Sequence, residues 1–96
     1  MYYNKQGKKI SLEKWSGLFE KAGYTIIKQE SVGDYRISTV WLGLGNMLGE
    51  GNSLIFETMV FGDENNEQRR YSSLKEAEAG HKLMVKKYKQ YGKSNK

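Results

Sequence analysis

Cysteine and proline are both absent from this 96-residue chain, histidine occurs once, and no apolar run approaches membrane length. Without cysteine there are no disulfides, thiolate metal sites or cysteine nucleophiles, as suits a reducing compartment. A single imidazole has no second His to share a metal with, so neither metal nor cofactor is expected. Nothing comes near the roughly 20 apolar residues that cross a bilayer, so no membrane partner is expected. The opening MYYNKQGKKI has no apolar core behind its charges, which predicts no secretory leader. With proline missing, the turns fall to Gly, Asn and Asp, which tolerate positive φ.

Seven Tyr, three Phe and two Trp supply large side chains, and 38% apolar with 28% charged residues suits a globular chain. The length is that of one core, predicted over residues 1–92 with 93–96 as a frayed tail. The charge is unevenly placed. Residues 75–96 carry seven Lys against Glu76 and Glu78, a surplus equal to the whole formal net charge of +5, while the remainder sums to zero. Such a surplus can attract an anionic partner or simply keep a surface helix soluble.

Gly7, with Asn4 and Gln6, predicts a turn between short extended pieces YYN and KKI. Ser11 reads as an N-cap with Glu13 in the first turn. Leu12, Trp15, Leu18, Phe19 and Ala22 recur at helical steps, and Gly23 follows as a C-cap, predicting a helix over 12–22. Residues 24–31 and 35–42 read as strands joined at Gly33-Asp34. Residues 53–61, SLIFETMVF, are apolar almost throughout and predict a strand needing cover on both faces, which a second copy of the chain could supply. Arg69, Arg70 and Tyr71 add a short extended segment. Ser73-Leu74-Lys75-Glu76 matches a capping box. Leu74, Ala77, His81, Met84, Val85 and Tyr88 then mark a helix to about residue 91, ended by Gly92, whose small residues Ala77, Ala79 and Gly80 let it approach a sheet closely. The expected fold is α+β: an antiparallel sheet of three strands or slightly more, with an N-terminal and a C-terminal helix packed on it.

The glycine-rich stretch 43–52, GLGNMLGEGN, has Leu at 48 where a dinucleotide fingerprint needs Gly, and a strand follows instead of a helix. It is a plain loop or one closing near a ligand. In the second case Trp41, Gly43, Gly45, Asn46, Glu57 and His81 are the candidate ligand-binding residues. His81, on the apolar stripe, is first expected to be a half-buried, hydrogen-bonded structural residue. Glu57, inside an apolar strand, either points outward or pairs with Arg36 across the sheet, or it lines a pocket. Lys82, Lys86, Lys89 and Lys93 recur at steps of four, three and four as a candidate anion-binding surface, with Tyr88 and Tyr91 close by to stack on a base. No catalytic constellation can be assembled from one His, no Cys and unpaired carboxylates, so an enzyme is not expected.

The strings Ile10-Ser11-Leu12-Glu13-Lys14-Trp15, STVWLGL at 38–44, LIFETMVFG at 54–62 and Arg70-Tyr71-Ser72, with Glu76-Ala77 and Ala79-Gly80-His81, resemble a family of small uncharacterised proteins of phage and prophage genomes. The resemblance covers about residues 7–85. Family members usually carry Asp-His where this chain has Gly45-Asn46, and often Pro-Pro at Asn52-Ser53, so a role built on that Asp-His pair would be absent or altered here. The resemblance implies a phage accessory protein in a bacterial host cytoplasm. The expected function is a non-catalytic binder that interferes with a host system, such as a defence, by occupying a host protein or sequestering an anionic nucleotide signal. The alternative is a nucleic-acid-binding accessory protein.

Overall fold

A computed structural model describes residues 1–45, 54–62 and 67–94, with side chains through residue 91. The chain opens with a small hairpin in which β1 (Tyr2–Tyr3) pairs antiparallel with β2 (Lys9–Ile10). Asn4 makes the turn, its Oδ1 accepting from the amides of Gln6 and Lys8 at 3.0 and 2.9 Å. Gly7 takes the left-handed φ of +81° that a side chain would resist.

Helix α1 (Leu12–Glu20) starts where Ser11 Oγ accepts from the Lys14 amide at 3.2 Å. It stops at Glu20, before the expected end, because Lys21 turns to extended backbone while its amide still reaches the Leu18 carbonyl. The left-handed Gly23 lies beyond the cap, in the turn toward the sheet.

Strands β3 (Ile26–Val32), β4 (Tyr35–Trp41), β5 (Phe56–Phe61) and β6 (Gln68–Tyr71) form an antiparallel meander in the order β3-β4-β5-β6. The Gly33-Asp34 turn joins β3 to β4, with Val32 opposite Tyr35. Arg69-Arg70-Tyr71 belongs to a full fourth strand, which sets Tyr71 opposite Phe56. Helix α2 (Leu74–Ser94) lies across all four strands, and α1 meets the same sheet through Trp41 and the hairpin.

Registry explains the core. Ile37, Thr39 and Trp41 stand opposite Val60, Thr58 and Phe56, so one face of β4 and β5 points together at α2. The helix answers with Ala77, His81, Met84, Val85 and Tyr88, all buried. Two apolar clusters result. One holds Val32, Ile37, Val60, Met84, Val85 and Tyr88; the other holds Trp41, Ile55, Phe56, Tyr71 and Ala77. Trp41, Phe56 and Tyr88 are wholly buried. At about 25 cal/mol per Å² and roughly 150–250 Å² per ring, each contributes some 4–6 kcal/mol before entropy is subtracted. That exceeds the ~0–1 kcal/mol of an exposed ion pair, so ring burial holds this fold.

The other sheet face carries Gln29, Arg36, Ser38, Val40, Glu57, Met59, Phe61 and Arg70, and among the described residues no second layer covers it. Strand β5 was expected to need cover there. Neighbouring side chains supply part of it, with Arg70 over Glu57, and Phe61 stays 47% exposed.

Candidate binding site

The structure does not gather the five described ligand-binding candidates, Trp41, Gly43, Gly45, Glu57 and His81, around one opening. Trp41 is wholly buried and its Nε1 donates to the Tyr3 carbonyl at 3.1 Å, so it pins the N-terminal hairpin and offers a ligand no surface. Gly43 is packing too. At φ +68°, a Cβ there would stand 2.4 Å from the Trp41 ring and 2.8 Å from Trp15 Nε1. The same indole of Trp15 donates to the Leu42 carbonyl at 3.0 Å. The Gly45 amide donates to the Met1 carbonyl, and Asn46 lies outside the described residues.

Glu57 is buried, and its partner is Arg70 at 2.9 Å, not Arg36. Register decides this: Arg70 stands directly opposite Glu57, whereas Arg36 stands opposite Phe61 and bonds Gln29 at 2.9 Å.

His81 is more enclosed than expected, at 1% exposure, and it closes a buried chain of polar groups between the two apolar clusters. Its Nδ1 meets Thr39 Oγ1 at 2.6 Å, Thr39 meets Thr58, and Nε2 meets Glu30 Oε1 at 3.0 Å. Burial acts upward on the Glu30 carboxyl, but the His81 hydrogen bond and the Lys28 charge outweigh it and hold the group below the usual carboxylate range. An ionised Glu30 only accepts, so Nε2 carries a proton; in the neutral ring Nδ1 then accepts from Thr39, and Thr39 from Thr58. A hydroxyl, an imidazole and a carboxylate in line have the order of a nucleophile relay. Thr39 is fully buried, however, so no substrate reaches its oxygen, and the chain's work is to seat α2 on the sheet.

The exposed charge lies instead on the flanks of α2. Lys82, Lys86 and Lys89 are exposed, and among the described residues none has an ion pair; the side chain of Lys93 lies outside them. Lys87, one step round the helix, is engaged: its Nζ donates to both Glu67 oxygens at 2.8 Å, and the Tyr88 hydroxyl adds a third bond at 2.8 Å. Bonds from Lys87 and Tyr88 hold the Glu67 carboxyl below its ordinary range, and Glu67 in turn raises the Lys87 ammonium.

Between this flank and β6 runs a groove of about 360 Å³, lined by Arg69, Tyr71, Ala79, Gly80, Leu83 and Lys87 among others. Gly80 makes it, because a Cβ there would come within 2.3 Å of the Tyr71 ring. The Tyr71 hydroxyl is buried and has no hydrogen-bond partner among the described residues, and Leu83, which also lines the groove, is 69% exposed. The small residues of α2 are a visible signal for the close approach, but nothing in local sequence pairs Gly80 with Tyr71. Among the described residues no three His, Cys, Asp or Glu side chains gather as a metal site, and no helix is long and apolar enough to cross a membrane.

The chain matches no protein-family model, no curated protein and no solved structure.

Proposed function

We propose that this chain is a non-catalytic binding protein that takes an anionic partner on the outer flank of α2. The observation that carries the reading is the row Lys82, Lys86 and Lys89, exposed on one helix face with no carboxylate paired to it among the described residues. An unpaired row of ammonium groups on a 21-residue helix attracts phosphate or carboxylate at long range and holds it at short range. Its resemblance to phage and prophage proteins supports the setting: an accessory protein that interferes with a host system in the bacterial cytoplasm, by occupying an acidic host protein or sequestering an anionic nucleotide. Ile26, Val40, Met59 and Phe61, on the open sheet face, are the contact of a homodimer.

Thermal shift against cyclic nucleotides, mononucleotides, short oligonucleotides and acidic polypeptides, at low and moderate salt, tests the reading. A ligand at 100 times its Kd adds about 2.7 kcal/mol, and each kcal/mol moves the Tm of such a domain by about 4–8 °C. The expected result is a clear shift with an anionic ligand that Lys86→Glu plus Lys89→Glu removes. Anion binding that ignores the double substitution sinks the α2 surface. The nucleic-acid reading draws on the exposed Tyr91 ring, which packs against Tyr88 and Lys87, and it requires affinity that grows with oligonucleotide length and falls steeply with salt.

A further inference from the structure

The outer edge of β6 and the groove beside it share one geometry. The Val60 amide donates to the Glu67 carbonyl at 3.0 Å. In the alternation of an antiparallel ladder, Glu67, Arg69 and Tyr71 therefore turn their backbone groups to β5, while Gln68 and Arg70 turn theirs outward. Among the described residues β6 has no neighbour on that side. Side chains alternate as well: Tyr71 and Arg69 point to the α2 face and line the groove, whereas Arg70 points to the open face and holds Glu57.

We infer that β6 takes an extended acidic segment of a partner polypeptide as a fifth strand, its groove-facing side chains lying between Tyr71 and Leu83. The inference deepens the anionic-partner reading and rests on it, naming a polypeptide carboxylate as the anion. Charge selects the occupant. Arg69 has no ion pair or hydrogen bond among the described residues, and the Lys87 nearby is already neutralised by Glu67. A residue added opposite Arg69 is therefore best acidic. Two positions along, at Tyr71, the groove is lined by Leu83, Met84, Ala79 and Gly80 and by Glu76. The Glu76 carboxylate is taken up by the Ser72 and Ser73 hydroxyls, so the added residue there is best apolar and uncharged. A second copy of this chain fits poorly: pairing β6 with itself through Gln68 and Arg70 sets Arg69 opposite Arg69, with like charges face to face. The outward amides supply affinity without regard to sequence, and the acidic-then-apolar alternation supplies selectivity.

The probe is a capped seven-residue peptide with a central glutamate, leucine two residues to either side and threonine between, readable in both strand directions. Fluorescence anisotropy measures its binding to the full chain, and amide NMR shifts locate it. Expected are saturable binding, shifts at the Gln68 and Arg70 amides, and a loss of about tenfold or more with Arg69→Glu. Leu83→Asp lowers affinity too. Both side chains are exposed, so far-UV circular dichroism of these variants should match the parent. Replacing the central glutamate by lysine, or the threonines beside it by proline, should abolish binding. Equal binding of the lysine or proline peptide, or shifts confined to Lys82, Lys86 and Lys89, overturns the added strand. If the peptide fails while an anion sensitive to Lys86→Glu plus Lys89→Glu still binds, the strand falls and the anionic-partner reading survives; if neither binds, both fall.

Discussion

His81 is the side chain that links the buried Thr39–Thr58 pair to Glu30. Replacing it by Leu would strip Thr39 of its Nδ1 partner and Glu30 of its Nε2 donor in one step. Thr39 keeps Thr58, and Glu30, a third exposed, keeps Lys28. The loss is therefore that of one buried bond, about 1–3 kcal/mol, and His81→Leu should lower the Tm by at least about 4–8 °C. Thr39→Val together with His81→Leu should cost less than the sum of the two single changes, because both remove the same contact. A calorimetric double-mutant cycle giving additive losses would mean that the groups do not act as a chain. Glycines make a sharper sign test. Gly17 sits inside α1 with open space where a Cβ would go, so Gly17→Ala should gain about 1 kcal/mol of helix propensity. Gly80→Ala gains the same propensity but drives a methyl into the Tyr71 ring. Overpacking of about 1–3 kcal/mol outweighs it, and the net change should be a loss. Urea midpoints moving in opposite directions would confirm the pair.

Elements differ in how openly the chain announces them. Both helices start at a serine followed by a glutamate, and their apolar steps are visible without any structure. In α2 the capping chemistry is richer than the motif alone implies: Glu76 accepts the hydroxyls of Ser72 and Ser73, while Ser73 Oγ takes the Glu76 amide. Strand β6 was harder to read, because Gln68, Arg69 and Arg70 show no apolar alternation and only Tyr71 turns inward to the core. The Glu57 partner was hidden for another reason. Register between β5 and β6 depends on how the connecting loop closes, and local pattern does not carry that information. The groove is a product of the same non-local register. Glu67 ties the start of β6 to α2, and its carboxyl lies below its ordinary range. Its stabilisation is therefore full above the unfolded value of about 4.3 and is lost as pH falls through the lower folded value. The penalty of Glu67→Gln, followed by urea unfolding from pH 7 to pH 3, should shrink toward zero in acid. A penalty constant with pH would mean that the Lys87 pair contributes nothing through charge.

Taken whole, the molecule is one-sided. One sheet face is sealed by α2 and touched by α1, while the other presents Phe61 and Ile26, 47% and 45% exposed, among Arg36, Gln29 and the Glu57–Arg70 pair. If the open face joins two copies, light scattering should give a dimer mass that Phe61→Asp returns to monomer; an unchanged dimer would place the contact elsewhere. The groove beside α2 and this face are separated by β6 itself, so the affinity of the proposed peptide should be the same in both forms. Across the sealed face, the two hydroxyls of Thr39 and Thr58 sit at the joint between the apolar clusters, shut off from bulk water. Threonine hydroxyl protons in contact with solvent are lost to it too quickly to observe, but these two can leave only when α2 lifts from the sheet. They should appear as persistent proton resonances, and the rate at which they wash out would time the opening of the helix.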